Sequence, residues 1–299
     1  MSDLYAVFGN PVAHSRSPAI HGAFARDTGQ DIVYERILAP LDGFAAAVDA
    51  FRLAGGRGAN VTLPFKREAW QLATALSARA ASAEAVNTLR FDRDGRVFGD
   101  NTDGVGLVRD IEVNLGQPLA GARVLMLGAG GAAAGVVMPL VDAGVARLHV
   151  ANRTAARAEA LAARHAASPV SGGALDAIDG TFDLIVNATS ASLGAEVPSR
   201  GRARLVPGGL CYDMMYSAEP SAFLSEAARA GARIADGIGM LVEQAAESFF
   251  LWRGVRPATG RLIAELAQPW RGSRPGAGGA GAPARDDMPQ GSPGGSTVR

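Results

Sequence analysis

The chain has 299 residues, long enough for two domains, and its 29 lysines and arginines balance 29 aspartates and glutamates. This composition lacks the basic stripe of nucleic-acid-binding proteins, and the single cysteine, Cys211, excludes an internal disulfide framework. No apolar run reaches 18 residues and no signal-peptide pattern opens the sequence, so we expect a soluble cytoplasmic protein that spans no membrane.

Short apolar strands alternate with helical patterns in the N-terminal part of the chain. The strands LYAVFG, IVYERIL and ANVTL are separated by helices that begin at Pro18 and run from Leu41 to Ala54. This alternation predicts a mostly parallel α/β sheet. The segment VNTLRFDRDGRVFG, around Val86 to Phe98, predicts an antiparallel hairpin across an Arg-Asp-Gly turn.

A second alternation begins at ARVLMLGAGG and continues through RLHVANR, FDLIVNAT and GLCYDMM, with alanine-rich helices between the strands. We place the first domain boundary near Thr102. The helix GMLVEQAAESFFLWRG, from Gly239 to Gly254, has a broad apolar face and must pack on another element. From Arg271 to Arg299 the chain is rich in glycine, proline and alanine, which predicts a disordered tail.

The sequence VLMLGAGGAAAG is an apolar strand that leads into the pattern G-x-G-x-x-A. In this pattern Gly128 allows the tight turn, Gly130 allows close approach of a pyrophosphate, and Ala133 lets helix and strand pack closely. The helix that begins there offers its N–H groups to the phosphates. A tight turn with no ligand is the alternative, but the flanking strand, helix and second strand favour a dinucleotide site.

The end of the second strand favours NADP over NAD. An NAD enzyme usually has a carboxylate there for the ribose 2′-hydroxyl, whereas this chain has Asn152, Arg153 and Thr154, then Arg157, with no acid before Glu159. Guanidinium groups and a hydroxyl can bind a 2′-phosphate through charge-assisted hydrogen bonds. The alternative is that both arginines are ordinary exposed helix residues.

Two segments near the N-terminus are candidates for a substrate site. Ser15 and Ser17 precede a helix, where they can cap it or hold a carboxylate beside its N–H groups. In GANVTLPFK, Asn60 and Thr62 precede Lys66, which is either a solvated lysine of a first helical turn or a catalytic lysine above a polyhydroxylated substrate. Local chemistry leaves both alternatives open.

Together these motifs closely resemble the shikimate dehydrogenase family. The shared segments follow the family's order within residues 4–267: GNPVAHSRSPAIH, NVTLPFK, AVNTL, GDNTDG, LGAGGAAAG, NRT, NATS, YDMMY and DGIGMLVEQAA. The resemblance implies reversible, NADPH-dependent reduction of 3-dehydroshikimate to shikimate in the chorismate pathway of aromatic amino acid biosynthesis. It also implies two α/β domains, an open, mostly parallel substrate domain of residues 1–102 plus 238–270 and an inserted Rossmann-type NADP-binding domain of residues 103–237, followed by a tail of residues 271–299.

The resemblance further implies roles for individual residues. Lys66 and Asp103 form the catalytic pair, and no metal is implied. The substrate-binding residues that it implies are Ser15, Ser17, Thr62, Asn87, Asp103, Tyr216 and Gln244. The NADP-binding residues that it implies are Gly128, Ala129, Gly130, Gly131, Ala132, Asn152, Arg153, Thr154, Arg157, Met214 and Gly237. We expect a small-molecule partner, neither nucleic acid nor membrane, and a monomer or homodimer.

The sequence departs from the family pattern at positions that carry no proposed chemistry. Glycines of the family are replaced by Glu84, Ser192 and Ala195. In a loop beside Tyr216, the family's Pro, Thr and Pro are replaced by Ala218, Ser221 and Ala222. These changes make the geometry of that loop harder to predict from the resemblance.

Two other functions compete with the main interpretation. One is a broader quinate/shikimate dehydrogenase that uses NAD, and Arg153 argues against it. The other is a non-catalytic dinucleotide sensor built on the same fold. Such a sensor has no need to keep Lys66 and Asp103 together, so their joint presence favours the enzyme.

Overall fold

The computed structural model describes residues 2–189 and 197–272, which form two α/β units, each built on a six-stranded sheet. The first sheet has the order β2-β1-β3-β5-β6-β4 and consists of β1 (Asp3–Gly9), β2 (Ile32–Leu38), β3 (Gly56–Val61), β4 (Ala75–Leu76), β5 (Thr88–Phe91) and β6 (Val97–Asp100). β1 runs parallel to β2 and β3, whereas β5 is antiparallel to β3 and β6. The predicted hairpin is therefore confirmed.

The aromatic core beside this sheet fixes the start of the helix that carries Lys66. The helices of this unit are α1 (Ser17–Thr28), α2 (Phe44–Leu53), α3 (Lys66–Leu72) and α4 (Ala78–Ala83). Phe8 of β1 meets Phe44 edge-on at 6.0 Å, and Phe44 stacks on Phe65 at 4.9 Å. Phe65 is fully buried, so it holds the start of α3 against the core and Lys66 directly beside it.

The second sheet is parallel throughout and has the strand order of a doubly wound dinucleotide-binding fold. It has the order β12-β11-β10-β7-β8-β9 and consists of β7 (Arg123–Leu127), β8 (Arg147–Asn152), β9 (Val170–Ala174), β10 (Asp179–Asn187), β11 (Arg202–Asp213) and β12 (Arg233–Asp236). Its helices are α6 (Gly131–Asp142), α7 (Ala155–Ala163) and α8 (Ala222–Arg229). The strand order reverses between β7 and β10, where such folds bind their ligands.

Two helices pack against both units. They are α5 (Asp103–Arg109), which continues into a π-helical turn over Asp110–Asn114, and α9 (Ile238–Arg253), which is followed by α10 (Gly260–Leu266). α9 returns to α1, where Phe249 and Val242 share a buried cluster with Ile20 and Phe24. The apolar face predicted for this helix is thus covered by the first unit. Within residues 2–189 and 197–272, no helix is long and apolar enough to cross a membrane.

The C-terminus is ordered further than the sequence predicted. The guanidinium of Arg271 is buried and forms ion pairs with Asp110 and Asp236, and the N–H of Gly272 donates to the carbonyl of Ile234 in β12 at 2.8 Å. The expectation of a disordered tail is therefore wrong for Arg271 and Gly272, because two buried carboxylates hold the arginine. Residues 273–299 lie outside the described part of the chain, as do the departures at Ser192 and Ala195.

Candidate active site

Lys66 and Asp103 meet in the cleft between the two units. Nζ of Lys66, at the start of α3, lies 2.6 Å from Oδ2 of Asp103, at the start of α5. The side chains are 20% and 9% exposed, so one face of this ion pair remains open to a ligand. The amide of Asn87, just before β5, donates to the other carboxylate oxygen of Asp103 at 2.8 Å. Three separate elements therefore build this cluster.

Gln244 joins the same cluster from α9. Its Oε1 accepts hydrogen bonds from Nδ2 of Asn87 and from Oγ1 of Thr102, each at 3.3 Å. Thr102 also donates its backbone N–H to Oδ1 of Asn87 at 2.9 Å. The structure thus brings together four of the residues that the resemblance implied, and it adds Thr102, which the sequence analysis missed. The position of Thr102 in GDNTDG, directly before Asp103, was a signal for it.

Asn60, which precedes Thr62 and Lys66 in the sequence, lies beneath this cluster rather than in the open cleft. It is 6% exposed, and its amide donates to the hydroxyls of Thr88 and Ser248 at 3.1 and 3.0 Å. Its Oδ1 accepts the hydroxyl of Tyr34 at 2.7 Å and lies 3.1 Å from Nε2 of His21. Asn60 is therefore part of a buried polar layer that supports Asn87.

His21 is neutral within this layer. Complete burial lowers the pKa of His21 to about 3, against a smaller opposing effect of its hydrogen bond to Asn60. Because Oδ1 of Asn60 can only accept, the neutral ring donates from Nε2. The ring also stacks on Tyr34 with a centroid distance of 4.3 Å. His21 is thus a packed, uncharged member of the core, as is usual for a buried histidine.

The two serines lie close together at the start of α1. Their hydroxyl oxygens are 3.2 Å apart, and Ser17 donates its N–H to Oγ of Ser15 at 3.3 Å. The N-cap of α1 is Arg16, and no side chain caps the helix there. Arg36 donates two hydrogen bonds, at 3.0 and 2.7 Å, to the carbonyl of Ser15 and so holds this loop. The loop presents two adjacent hydroxyls at the start of a helix, an arrangement suited to a carboxylate.

Tyr216 reaches the same region from the second unit. The guanidinium carbon of Arg16 lies 5.5 Å from the centroid of the Tyr216 ring, within cation–π distance. Burial raises the pKa of Tyr216, and the charge of Arg16 acts in the opposite direction. The tyrosine therefore keeps its hydroxyl proton as a hydrogen-bond donor. Arg16 was missed in the sequence, although it stands between the two serines.

The glycine-rich turn after β7 has the geometry that a dinucleotide needs. Gly128 has a φ of +106°, and a Cβ there would lie 2.9 Å from Cγ2 of Thr189, so only glycine fits. A Cβ on Gly130 or Gly131 would meet no described atom within 4 Å. These two residues face open space at the start of α6, which leaves room for a pyrophosphate beside the helix N–H groups. The turn runs from Gly128 through Ala129, Gly130 and Gly131 to Ala132. Its small residues leave room for the pyrophosphate of NADP.

The candidate 2′-phosphate residues lie at the end of β8. Arg153, Thr154 and Arg157 are exposed, while Asn152 is half-buried and donates its amide to the carbonyl of Thr154 at 3.0 Å. Among the described residues, neither guanidinium has a hydrogen-bond or ion-pair partner. Both charges are therefore available to a ligand at this edge of the sheet.

Met214 and Gly237 lie side by side beyond the ends of β11 and β12. A Cβ on Gly237 would lie 2.2 Å from the carbonyl oxygen of Met214, so this close approach requires glycine. The N–H of Gly237 donates to the carbonyl of Met215 at 3.0 Å. These contacts hold Gly237, directly before α9, against the start of the loop that carries Tyr216.

Family models match three consecutive parts of the chain. The shikimate dehydrogenase substrate binding domain matches residues 7–89, and shikimate / quinate 5-dehydrogenase matches residues 111–195. The shikimate 5′-dehydrogenase C-terminal domain matches residues 237–266. The first and third of these regions lie in the unit that carries Lys66 and Gln244, and the second covers the glycine-rich turn.

Relatives agree with these models over most of the chain. The chain is 56% identical over 276 residues to shikimate dehydrogenase (NADP(+)) from Cupriavidus necator, covering 89% of this chain and 93% of the relative. It is 58% identical over 270 residues to the enzyme of the same name from Dechloromonas aromatica, with 89% and 98% covered. A crystal structure of shikimate 5-dehydrogenase from Thermus thermophilus in complex with NADP(H) and shikimate is 33% identical with a TM-score of 0.77, covering 88% of this chain and 97% of that one. The chain therefore belongs to the shikimate dehydrogenase family and to its NADP-dependent members.

Proposed function

We propose that this cleft reversibly reduces 3-dehydroshikimate to shikimate and that Lys66 moves the proton. The observation that supports this most directly is the 2.6 Å contact between Lys66 and Asp103, which come from different elements and remain partly open to the cleft. A solvated surface lysine would extend into water, whereas Lys66 contacts a nearly buried carboxylate that also accepts a hydrogen bond from Asn87. The curated relatives with this name, at 54–58% identity, support the substrate.

The substrate carboxylate binds the loop before α1. Ser15, Ser17 and the hydroxyl of Tyr216 are neutral donors, and a carboxylate that accepts several such bonds is held without a buried counter-charge. The hydroxyl groups of the ring then lie toward Thr62, Asn87 and the far end of the cleft. Of these hydroxyls, the reacting one meets Lys66 and Asp103, and Gln244 contributes from α9.

Proton transfer belongs to Lys66. Reduction of a ketone puts negative charge on its oxygen, and a positioned acid lowers the barrier by supplying a proton there. The ammonium of Lys66 donates that proton in reduction, and the neutral amine removes it in oxidation. Asp103 holds the ammonium in place and accepts from the reacting hydroxyl. NADPH, held by the turn from Gly128 to Ala132, supplies the hydride when it is bound.

The pathway and the compartment are part of the same proposal. The product shikimate leads to chorismate and the aromatic amino acids. We propose the cytoplasm as the compartment, and a monomer or homodimer as the assembly. The only cysteine, Cys211, is buried and unpaired, and burial raises its pKa to about 12, so it is an inert thiol that suits a reducing compartment.

Replacement of Lys66 by methionine tests the proposal. Lys66→Met keeps the aliphatic stem and removes the amine, so turnover of shikimate with NADP should fall by about 10²- to 10⁴-fold while NADPH affinity stays unchanged. Absorbance at the nicotinamide band measures turnover, and a fluorescence titration measures NADPH binding. Arg67→Met, one residue away and exposed, is the matched control and should keep full activity.

Two results would contradict the proposal. Near-normal turnover in Lys66→Met would return this lysine to the role of a solvated residue at a helix start. A wild-type protein that binds NADPH but does not turn over shikimate would be a sensor rather than an enzyme.

A further inference from the structure

The chain does not end at α10 but continues along the second unit. We name residues 268–272 the C-terminal segment; it follows the region matched by the family models, which ends at residue 266. Trp270 packs against the hydrophobic cluster on one side of the second sheet, and its indole N–H donates to the carbonyl of Ala218 at 3.3 Å. Gly272 donates its N–H to Ile234 in the edge strand β12.

Arg271 anchors this segment through buried charges. Its side chain is 5% exposed, it forms an ion pair with Asp110, and its Nε lies 3.2 Å from Oδ1 of Asp236. Asp110 also accepts the hydroxyl of Tyr212 at 2.6 Å. A Cβ on Gly239 would lie 1.9 Å from Oδ1 of Asp110, so the glycine leaves the space that this ion pair occupies. Buried charges of this kind persist only when they are paired, which makes the anchor specific.

Two partners of the C-terminal segment, Ala218 and Asp236, adjoin residues of the cleft. Ala218 follows Tyr216 by two positions in one loop, which begins at Met214 after β11. Asp236 directly precedes Gly237, whose N–H donates to Met215 in the same loop. The segment therefore contacts the loop of residues 214–221 at Ala218 and, through Asp236, at its first turn.

This loop keeps Pro220 but departs from the family pattern two residues earlier. Where the family pattern has proline, this chain has Ala218, which leaves φ unrestricted. The hydrogen bond from Trp270 to the carbonyl of Ala218 and the packing of the indole supply a restraint from outside the loop.

We propose that Trp270 and Arg271 are positioning residues, which hold the loop of residues 214–221 so that Met214 and Tyr216 face the cleft in the binding geometry. This inference rests on the proposed roles of Met214 and Tyr216. Trp270 and Arg271 lie outside the proposed set of binding residues, and the two act through Ala218 and Asp236. A loop that is held in place before binding loses less conformational entropy when the ligand arrives.

The test uses the full-length chain with Trp270→Phe, which keeps an aromatic ring against the cluster but removes the N–H donor. The KM for shikimate should rise by about two- to tenfold, the value of one hydrogen bond, with kcat changed less. Adding Ala218→Pro to Trp270→Phe should restore the KM, because proline restrains the loop from within. Arg261→Met, on the exposed face of α10, is the matched control and should leave the KM unchanged.

A second variant, Arg271→Lys, keeps the charge but lacks the planar fork that reaches two carboxylates. We expect it to raise the Kd for NADPH and the KM for shikimate together. If both variants lower the melting temperature and leave KM and Kd unchanged, the segment is purely structural and the inference is wrong. Tyr216→Phe separates the two proposals: an unchanged KM there would overturn the role of Tyr216 itself, whereas a raised KM with a silent Trp270→Phe overturns only the positioning role.

Discussion

We propose that a single charge at the end of β8 sets the choice of cofactor. Arg153 is exposed, has no partner among the described residues, and lies where an NAD enzyme has a carboxylate. In dinucleotide-binding folds an arginine near this position accommodates the 2′-phosphate of NADP. A guanidinium binds a phosphate through two parallel hydrogen bonds, which a ribose hydroxyl cannot match. On this proposal, Arg153 contributes most to the preference for NADP, and Arg157 adds a second charge at the same edge of the sheet.

Arg153→Ala should weaken NADPH about 10- to 150-fold, the value of a charge-assisted hydrogen bond of roughly 1.5–3 kcal/mol, and should leave NADH almost unchanged. Titrations of both cofactors, followed by nicotinamide fluorescence, measure the two affinities. Arg147→Ala, an exposed arginine at the opposite end of β8, is the control and should change neither. Equal losses for both cofactors in Arg153→Ala would mean that the arginine supports the structure instead of the 2′-phosphate.

At the scale of elements, the candidate residues gather because helices and strands end at the cleft. Lys66 begins α3, Asp103 begins α5 and Gly131 begins α6. Side chains at such starts lean toward the N-terminal end of the helix. The backbone N–H groups there carry the positive end of the helix dipole and favour anionic groups. The loop before α1 follows the same arrangement with Ser15 and Ser17.

The double variant Ser15→Ala/Ser17→Ala should raise the KM for shikimate at least about tenfold, because two hydrogen bonds to a charged carboxylate are lost. Unfolding by urea should show only a small loss of stability, since the N-cap residue of α1 is Arg16 and Ser15 accepts a single long hydrogen bond of 3.3 Å from the N–H of Ser17. The control is Ser77→Ala, which removes a true cap that accepts the N–H of Ala80 at 3.1 Å. It should cost about 1 kcal/mol of stability with a normal KM. A destabilised double variant with normal KM would assign the serines to the helix instead.

Periodicity alone predicted the elements with strong apolar patterns and missed the weak ones. β7, β8, β10 and β11 are apolar runs and were expected. β9 reads VSGGA and β12 reads RIAD, and neither is long or apolar enough to stand out from a loop. Both exist because β8 and β11 offer free edges to pair with.

The family resemblance predicted which residues belong to the candidate site. It did not predict which of the polar residues are buried and which face the cleft. The burial of Asn60 depends on Ser248, 188 positions later in the chain, and the order at Arg271 depends on Asp110, 161 positions earlier. No local pattern contains such pairings. The sequence therefore identifies chemical groups, and only the tertiary contacts decide which of them face the ligand.

At the scale of the whole molecule, the two units also meet away from the cleft. Glu84, where the family has glycine, takes a left-handed φ of 50°, which is unfavourable for a residue with a side chain. Its carboxylate lies 3.6 Å from Arg164 of the second unit, and Arg164 donates to the carbonyl of Ser82 at 2.5 Å. The replacement of glycine by Glu84 thus creates an ion pair between the two units. This ion pair offsets part of the free energy that the left-handed backbone conformation costs.

The acid sensitivity of the fold should depend on His21. Its pKa is about 3 in the native protein and about 6.5 when unfolded, so its contribution to stability is complete above pH 6.5. As the pH falls from 6.5 towards 3, only the unfolded chain takes up this proton, and the free energy of unfolding falls by about 1.4 kcal/mol per pH unit.

Urea unfolding at pH 7, 6, 5 and 4 can isolate this effect by comparison with His21→Gln. The variant should be less stable at pH 7, because a packed ring is lost, but its stability should fall less steeply with pH. The other histidines contribute equally to both proteins, so the difference in slope reports His21. Parallel curves would show that His21 does not carry the proton uptake.

The packing of α9 on α1 also determines the order in which the two units can fold during synthesis. Arg253 of α9 contacts Gln30, 223 positions earlier, and Phe249 covers Phe24 of α1. A ribosome adds about 5–20 residues per second, so roughly 10–45 s pass between the synthesis of α1 and that of α9. During this time the apolar face of α1 is not covered by α9. The strands of the second sheet are complete before α9 emerges. The sheet of the inserted unit can therefore form while the first unit is unfinished, although its Asp110 and Asp236 are paired only after Arg271 has been added. The nascent N-terminal part is then the region most exposed to aggregation and to chaperone binding.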